Sequence, residues 1–244
     1  MVIGIFAKVL QGEPIKTRLQ SKLSRSQAVR FYLASLTDTL ETTAEIEPNP
    51  TLFLQGGDTA HAVDHLRVQL LEHGLDIKIW ERLRVASQSG RDLGQKLENA
   101  FEDLFRYATH GSSALILGSD SPGLDPGKVR RGLLTLYEED LEGNRPDMVL
   151  GPTSDGGYWG IGLRRSVPGV LEKISWSTEN TLADTRRRAH QHGLHVQLLD
   201  QWTDVDHPED LKTLAQQIEE FRQAGDTRTA RHSEVVLNEL GVGA

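Results

Sequence analysis

Short apolar, β-rich runs alternate with longer amphipathic stretches along almost the whole chain, and this alternation restricts the fold more than any other feature. Val2–Ala7 reads as a buried first strand. Ser24 and Gln27 have the S-x-x-Q form of a capping box, which predicts a helix from there to about Glu41. Thr51–Gln55 reads as a second strand, after which Gly56-Gly57-Asp58 turns into a helix over Thr59–Glu72. Asp76–Trp80 reads as a third strand. Asp92 can cap a helix running to Tyr107, whose Leu93, Leu97, Ala100, Phe101, Leu104 and Phe105 follow the helical period. Ala114–Gly118 is continuously apolar, as strands covered on both faces are, and a helix over Pro126–Glu139 follows it. Met148–Leu150 and Tyr158–Leu163 read as strands, Thr178–His192 as a helix and His195–Leu199 as a strand. Pro208 suits the first turn of a last main helix that ends near Gly225. The pattern predicts an α/β protein of three layers, α/β/α, around a mostly parallel sheet. Residues 1–225 make one domain in this reading, and Asp226–Ala244 adds a helical tail packed on it.

The composition narrows the chemistry. The 244 residues suit one α/β domain. There is no cysteine, which excludes disulfides, cysteine-ligated zinc, iron–sulfur clusters and thiol nucleophiles. A net charge of −8 makes the chain a poor general binder of nucleic acid or anionic membrane. No apolar run approaches the roughly 20 residues that span a bilayer. The opening Val2–Ala7 run is too short for a secretory signal and lacks a basic segment before it, so a cytoplasmic protein is the default expectation.

Ligands of such sheets sit outside the carboxyl ends of the strands, so the segments after each strand carry the candidates. Residues 1–37 hold six Lys/Arg and one acid, Glu13, a local excess of five positive charges on an acidic body. In the loop Lys8–Leu19, Lys16 offers a point charge and Arg18 a fork for phosphate, although a solvated basic helix start would look the same. No G-x-x-x-x-G-K-[ST] loop is present. Ser119-Asp120-Ser121-Pro122 follows a buried strand. Asp120 there suits a hard divalent cation or, equally, an Asx-turn. In Asp204-Val205-Asp206 the alternation puts both carboxylates on one side of an extended segment, and Asp206 is the candidate to complete a cation site with Asp120. Glu209 and Asp210 fit capping of the next helix better. Thr153-Ser154-Asp155-Gly156-Gly157-Tyr158 combines polar side chains with paired glycines that permit close approach of a ligand. Asp155 could accept a proton from a hydroxyl, and a hairpin turn is the alternative. His61 and His65 lack a third ligand in sequence and read as surface residues.

Taken in order, these segments resemble a known family. They are Lys16-Thr17-Arg18-Leu19, Gln88 with Asp92-Leu93-Gly94, Gly118 to Leu124, Gly151-Pro152 with Asp155 to Trp159, Trp176-Ser177-Thr178, and Asp204-Val205-Asp206 with Pro208 to Leu211. The chain is similar to the bacterial transferase family of glycosyltransferase-A type long catalogued as a domain of unknown function. Some of its members are labelled radical-SAM/selenodomain-associated transferases, and its relatives include the phospholactate guanylyltransferases. The resemblance implies a Rossmann-like nucleotide-diphospho-sugar transferase fold. It implies that Lys8, Lys16, Thr17 and Arg18 meet nucleotide phosphates, with Ser119 and Asp120 beside them. It further implies that Gln88 and Gly94 lie near the base, that Asp120 and Asp206 hold Mg²⁺ or Mn²⁺, and that Thr153, Asp155, Gly156, Gly157 and Tyr158 face the acceptor. Leu10-Gln11-Gly12-Glu13 departs from the family's usual Pro-x-Pro-Gly and brings a negative charge towards the expected phosphates.

The expectation is therefore a metal-dependent transferase taking a nucleotide-sugar donor and a small-molecule acceptor, with Asp120, Asp155 and Lys16 as the catalytic group. Guanylyltransferase-like nucleotidyl transfer to a phosphorylated acceptor is the alternative, and a catalytically weak nucleotide-binding protein is the second. No nucleic-acid or membrane partner is expected, and a homodimer is left open.

Overall fold

The computed structural model describes residues 1–47, 49–109, 111–139 and 143–243. The chain opens with β1 (Val2–Lys8), whose VIGIFAK run is apolar because both of its faces are covered. Helix α1 (Arg25–Ala44) starts at the expected capping box: Ser24 Oγ accepts from Gln27 N at 3.2 Å, and Gln27 Oε1 accepts from Ser24 N at 2.8 Å. Then follow β2 (Thr51–Gln55), α2 (Ala60–Glu72), α3 (Ile77–Arg82) and β3 (Arg84–Ser87). The second part of the chain runs α4 (Leu93–Tyr107), β4 (Ala114–Gly118), α5 (Pro126–Thr135), β5 (Met148–Pro152), β6 (Tyr158–Leu163), α6 (Thr181–Gln191), β7 (Val196–Leu198), α7 (Pro208–Gln223) and α8 (Arg231–Glu239).

Among the described residues the strands form one seven-stranded sheet in the order β3-β2-β1-β4-β6-β5-β7. Its pairs are parallel except at β6, which runs antiparallel to both β4 and β5. Alternate residues of each strand serve opposite faces. Phe53, Ile116, Leu150 and Ile161 pack under α4 and α6. Ile5, Leu52 and Leu54 pack under α1 and α2, and Leu115, Leu117 and Val149 under α5. This is the three-layer α/β/α arrangement read from the sequence. Helix α8 lies against α1 and α7, with Val236 and Leu237 joining Phe31, Leu211 and Leu214 in one cluster; Ala244, the end of the expected tail, lies outside the described residues.

The third strand is a correction. Asp76–Trp80 is not extended: Asp76 Oδ1 accepts from Lys78 N at 2.9 Å and caps α3, and the strand beside β2 is Arg84–Ser87. The Ile-x-Ile alternation imitates a strand. Ile77, however, stays 38% exposed, and a helical turn is what lets Ile79 and Trp80 reach the core together. The true edge strand is masked by polar ends. Arg84 pairs with Asp103 and lies over the Tyr107 ring at 4.4 Å. Helix α5 also stops at Thr135, earlier than the expected Glu139. Among the described residues no helix is long and apolar enough to cross a membrane.

Candidate active site

The carboxyl ends of β1, β3, β4 and β5 open on one cavity of about 590 Å³. Lys8, Gln88, Ser119, Asp120, Thr153 and Asp155 come to its wall from those ends. Lys16, Thr17 and Arg18 come from the loop after β1, and Asp204 and Asp206 from the segment before α7. Trp176 to Thr178 and Leu93, Lys96 and Leu97 close the opposite side. Strand β6 is antiparallel, so the β5–β6 turn lies on this rim as well.

Helix α1 fixes the floor. The buried Tyr32 hydroxyl lies 2.7 Å from both Lys8 N and Lys8 O, accepting from the first and donating to the second. Burial drives its pKa well above the ordinary phenol value. Ser35 Oγ donates to Ser119 O at 2.7 Å, so one helix sets the ends of β1 and β4.

The charged groups of the β1 loop, the β4 end and the segment before α7 meet at Lys16. Lys16 Nζ lies 2.6 Å from Asp120 Oδ1 and 3.4 Å from Asp206 Oδ1, and it donates to Val205 O at 2.5 Å. Its side chain is only 4% exposed, and its backbone sits in the left-handed region at φ +43°. That conformation is costly for a residue with a Cβ and is kept only where the surroundings enforce it. Arg18 holds the other oxygen of Asp206 at 2.8 Å from a half-exposed position. Val205 N donates to Asp120 O at 2.8 Å and ties the two acidic segments together. Asp206 N and His207 N both donate to Asp210 Oδ2, which confirms Asp210 as a helix-start residue.

Asp204 is the functional candidate that the sequence reading left in second place. Burial, then the neighbouring carboxylates of Asp155, Asp206 and Asp120, push its carboxyl up to about 6. The signal was the Asp-Val-Asp alternation, which aims both acids to one side. The rim thus gathers four carboxylates around Lys16 and Arg18.

The remaining expected residues divide. Asp155 Oδ1 accepts from Thr153 Oγ1 at 2.6 Å and from Gly157 N at 2.9 Å, so it braces its own turn while facing the cavity. Gly156 turns at φ +88°, and a Cβ there would fall 2.2 Å from Glu179 O; it is a packing residue outside the lining. Gly94 is also outside the lining, since it is packed against Leu171 O, where a Cβ would come within 2.3 Å. Gln88 reaches the wall, with Nε2 donating to Ala7 O and Phe53 O at 3.0 Å each, which fastens the ends of β1 and β2. The Tyr158 hydroxyl is raised in pKa by burial, and its ring meets Trp176 edge-on at 6.4 Å. Glu13 does not line the cavity: its carboxylate accepts from Gln55 Nε2 at 2.6 Å, and Gln55 Oε1 in turn accepts from Lys96 Nζ at 3.2 Å.

A second charged cluster lies away from the cavity, between α1 and α8. Asp38, Glu41 and His232 bring ligand-type atoms within 4.8 Å of one another. Every carboxylate oxygen of the two acids already accepts a hydrogen bond. Asp38 accepts from His232 N at 3.0 Å and Ser233 N at 2.9 Å, and Arg231 grips both oxygens of Glu41 at 2.6 and 3.0 Å.

The fold is the Rossmann-like one of solved nucleotide-diphospho-sugar transferase and cytidylyltransferase structures. The "putative nucleotide-diphospho-sugar transferase" of Desulfovibrio desulfuricans G20 superposes with a TM-score of 0.79 at 24% identity, over 98% of this chain and 94% of that one. CMP:2-keto-3-deoxy-manno-octonic acid synthetase complexed with CTP gives 0.52 at 9% identity, covering 91% and 98% of the two chains. A 4-diphosphocytidyl-2C-methyl-D-erythritol synthase gives 0.53 at 12% identity, covering 89% and 97%. Residues 39–178 match the family model described as "Uncharacterized protein conserved in bacteria (DUF2064)", and the chain belongs to that family. No curated protein matches the sequence.

Proposed function

We propose that the protein is a transferase that takes a nucleotide-sugar donor and passes the sugar to a small acceptor with the help of a divalent cation. One observation carries this reading. Asp120 and Asp206, from distant parts of the chain, meet at a single ammonium beside the mouth of a cavity large enough for a nucleotide. The donor set fits Mg²⁺ or Mn²⁺, since hard cations favour carboxylate oxygen and this rim carries four carboxylates against two bound cationic side chains. Asp120 and Asp206 would hold the ion, which when bound supplies charge neutralisation for the leaving phosphates. Arg18, Lys8 and Lys96 face the cavity with donors for phosphate oxygens. Ser119 and Thr17 add hydroxyls beside them, and Thr153, Asp155, Gly157 and Tyr158 form the acceptor side. Asp155 would take the proton of an attacking hydroxyl. Residues 1–225 would form the catalytic domain, with α8 buttressing α1.

Nucleotidyl transfer is the second reading. The Asp155 Oδ1 bonds to Thr153 and Gly157 favour it, because a carboxylate bracing its own turn is a weaker base and an ionised phosphate acceptor needs none. The two are separated by incubating the protein and Mg²⁺ with labelled sugar nucleotides or with NTPs, each with hydroxyl and phosphorylated acceptors. Nucleoside diphosphate release is the expected result, and pyrophosphate release would install the second reading. No product, together with no nucleotide binding by calorimetry, would overturn both.

A further inference from the structure

We infer that Lys16 is a resident counter-ion, and that a divalent cation binds this site by displacing its ammonium from Asp120 and Asp206. The inference rests on the reading of those two carboxylates as cation ligands and adds how this chain controls their loading.

An ammonium has three N–H donors. Those of Lys16 have three acceptors: Asp120 Oδ1 at 2.6 Å, Val205 O at 2.5 Å and Asp206 Oδ1 at 3.4 Å. None is left for a phosphate in this arrangement. The side chain is almost wholly shielded from solvent, and the strained backbone at φ +43° aims it at the acids rather than outward. The position is thus built for the carboxylates.

Electrostatics explains why something must sit there. Asp155 and Asp204 stand close to the pair, and four carboxylates sharing one rim repel one another unless a cation lies among them. Lys16 and a divalent ion cannot both occupy the gap, because two cations a few ångströms apart repel strongly in a partly dry site. The two therefore compete. When the ion enters, the Lys16 donors held by Asp120 and Asp206 come free beside the cavity, where a donor phosphate can accept them. Ion loading and phosphate recognition then favour each other, as reciprocal linkage requires.

The test uses Mn²⁺ alone, with no nucleotide, on metal-stripped full-length protein. Calorimetry of wild type and Lys16→Met should show at least tenfold tighter Mn²⁺ binding by the variant, and Mn²⁺ should raise its unfolding temperature more than that of wild type. Equal or weaker Mn²⁺ binding by Lys16→Met overturns the exchange and leaves the proposed function standing. No Mn²⁺ binding by either protein overturns the exchange and the cation part of the proposed function together. Should Lys16→Met fail to fold, acylation of lysines in the wild-type protein reads the same event by mass spectrometry. Millimolar Mn²⁺ should raise Lys16 labelling several-fold relative to the exposed Lys212, and unchanged labelling overturns the exchange.

Discussion

Two clusters of opposite charge join distant parts of this chain, and they are finished differently. Around Asp38, the acids are satisfied by N–H groups at the start of α8 and by a two-pronged arginine, all between packed helices. Around Lys16, the acids are satisfied largely by other side chains, at the edge of a cavity. The first arrangement is anchored by backbone N–H groups that cannot leave Asp38 without unseating α8. The second is made of partners that can be exchanged for a ligand's charges. Charge density alone does not separate a brace from a site; the mobility of the partners does.

That contrast can be broken at its strong end by Asp120→Asn. Removing this half-exposed carboxylate should cut cation-dependent transfer by about 10²-fold or more while lowering the unfolding midpoint only modestly, because the Lys16 ammonium keeps Asp206 and Val205 O. Steady-state product release and a thermal scan on the same sample measure both. Asp38→Ala should do the reverse. Two helix N–H groups lose their acceptor, which costs about 2 kcal/mol in urea unfolding, with turnover per folded molecule retained.

The same residue sharpens the comparison through pH. Burial raises Asp38 to about 6, above its unfolded value, so the folded protein takes up this proton first. The cost of the ionised form is fully present above pH 6 and disappears as the pH falls towards 4. Unfolding curves of wild type and Asp38→Asn between pH 4 and 7 should therefore differ in slope, with the wild type gaining stability relative to the variant as the pH falls. The smallest effect belongs to Glu13→Gln. Its carboxylate is engaged with Gln55 outside the lining, so nucleotide affinity should change by less than about threefold by calorimetry, within the range of a screened surface charge.

Most of the architecture was legible because apolar runs at period 2 or 3.6 report burial directly. The uncut apolar run of β4 and the stripe of α4 leave little choice. Reading failed at the edge of the sheet, where β3 has only four residues, none of them buried, and its Arg84 spends its charge on Asp103. There α3 offered a better imitation of a strand. At the rim, the strand ends exposed which residues would gather, since fold geometry aims them. The partner of each remained hidden. A lysine in a basic loop looks the same whether it faces phosphate or aspartate, and only the folded chain places Lys16 under Asp206. Gly94 and Gly156 pose a related difficulty: a glycine kept for a neighbouring carbonyl and one kept for a ligand leave the same letter.

The bond from Val205 N to Asp120 O has a mechanical consequence. With the Val205 side chain rooted in the apolar cluster beneath, both acid-bearing segments are tied to each other and to the core. The facing lip is made by Trp176 to Thr178 and the β5–β6 turn. The spacing of the acids on one side of the mouth is thereby set by main-chain and apolar contacts rather than by the charges themselves.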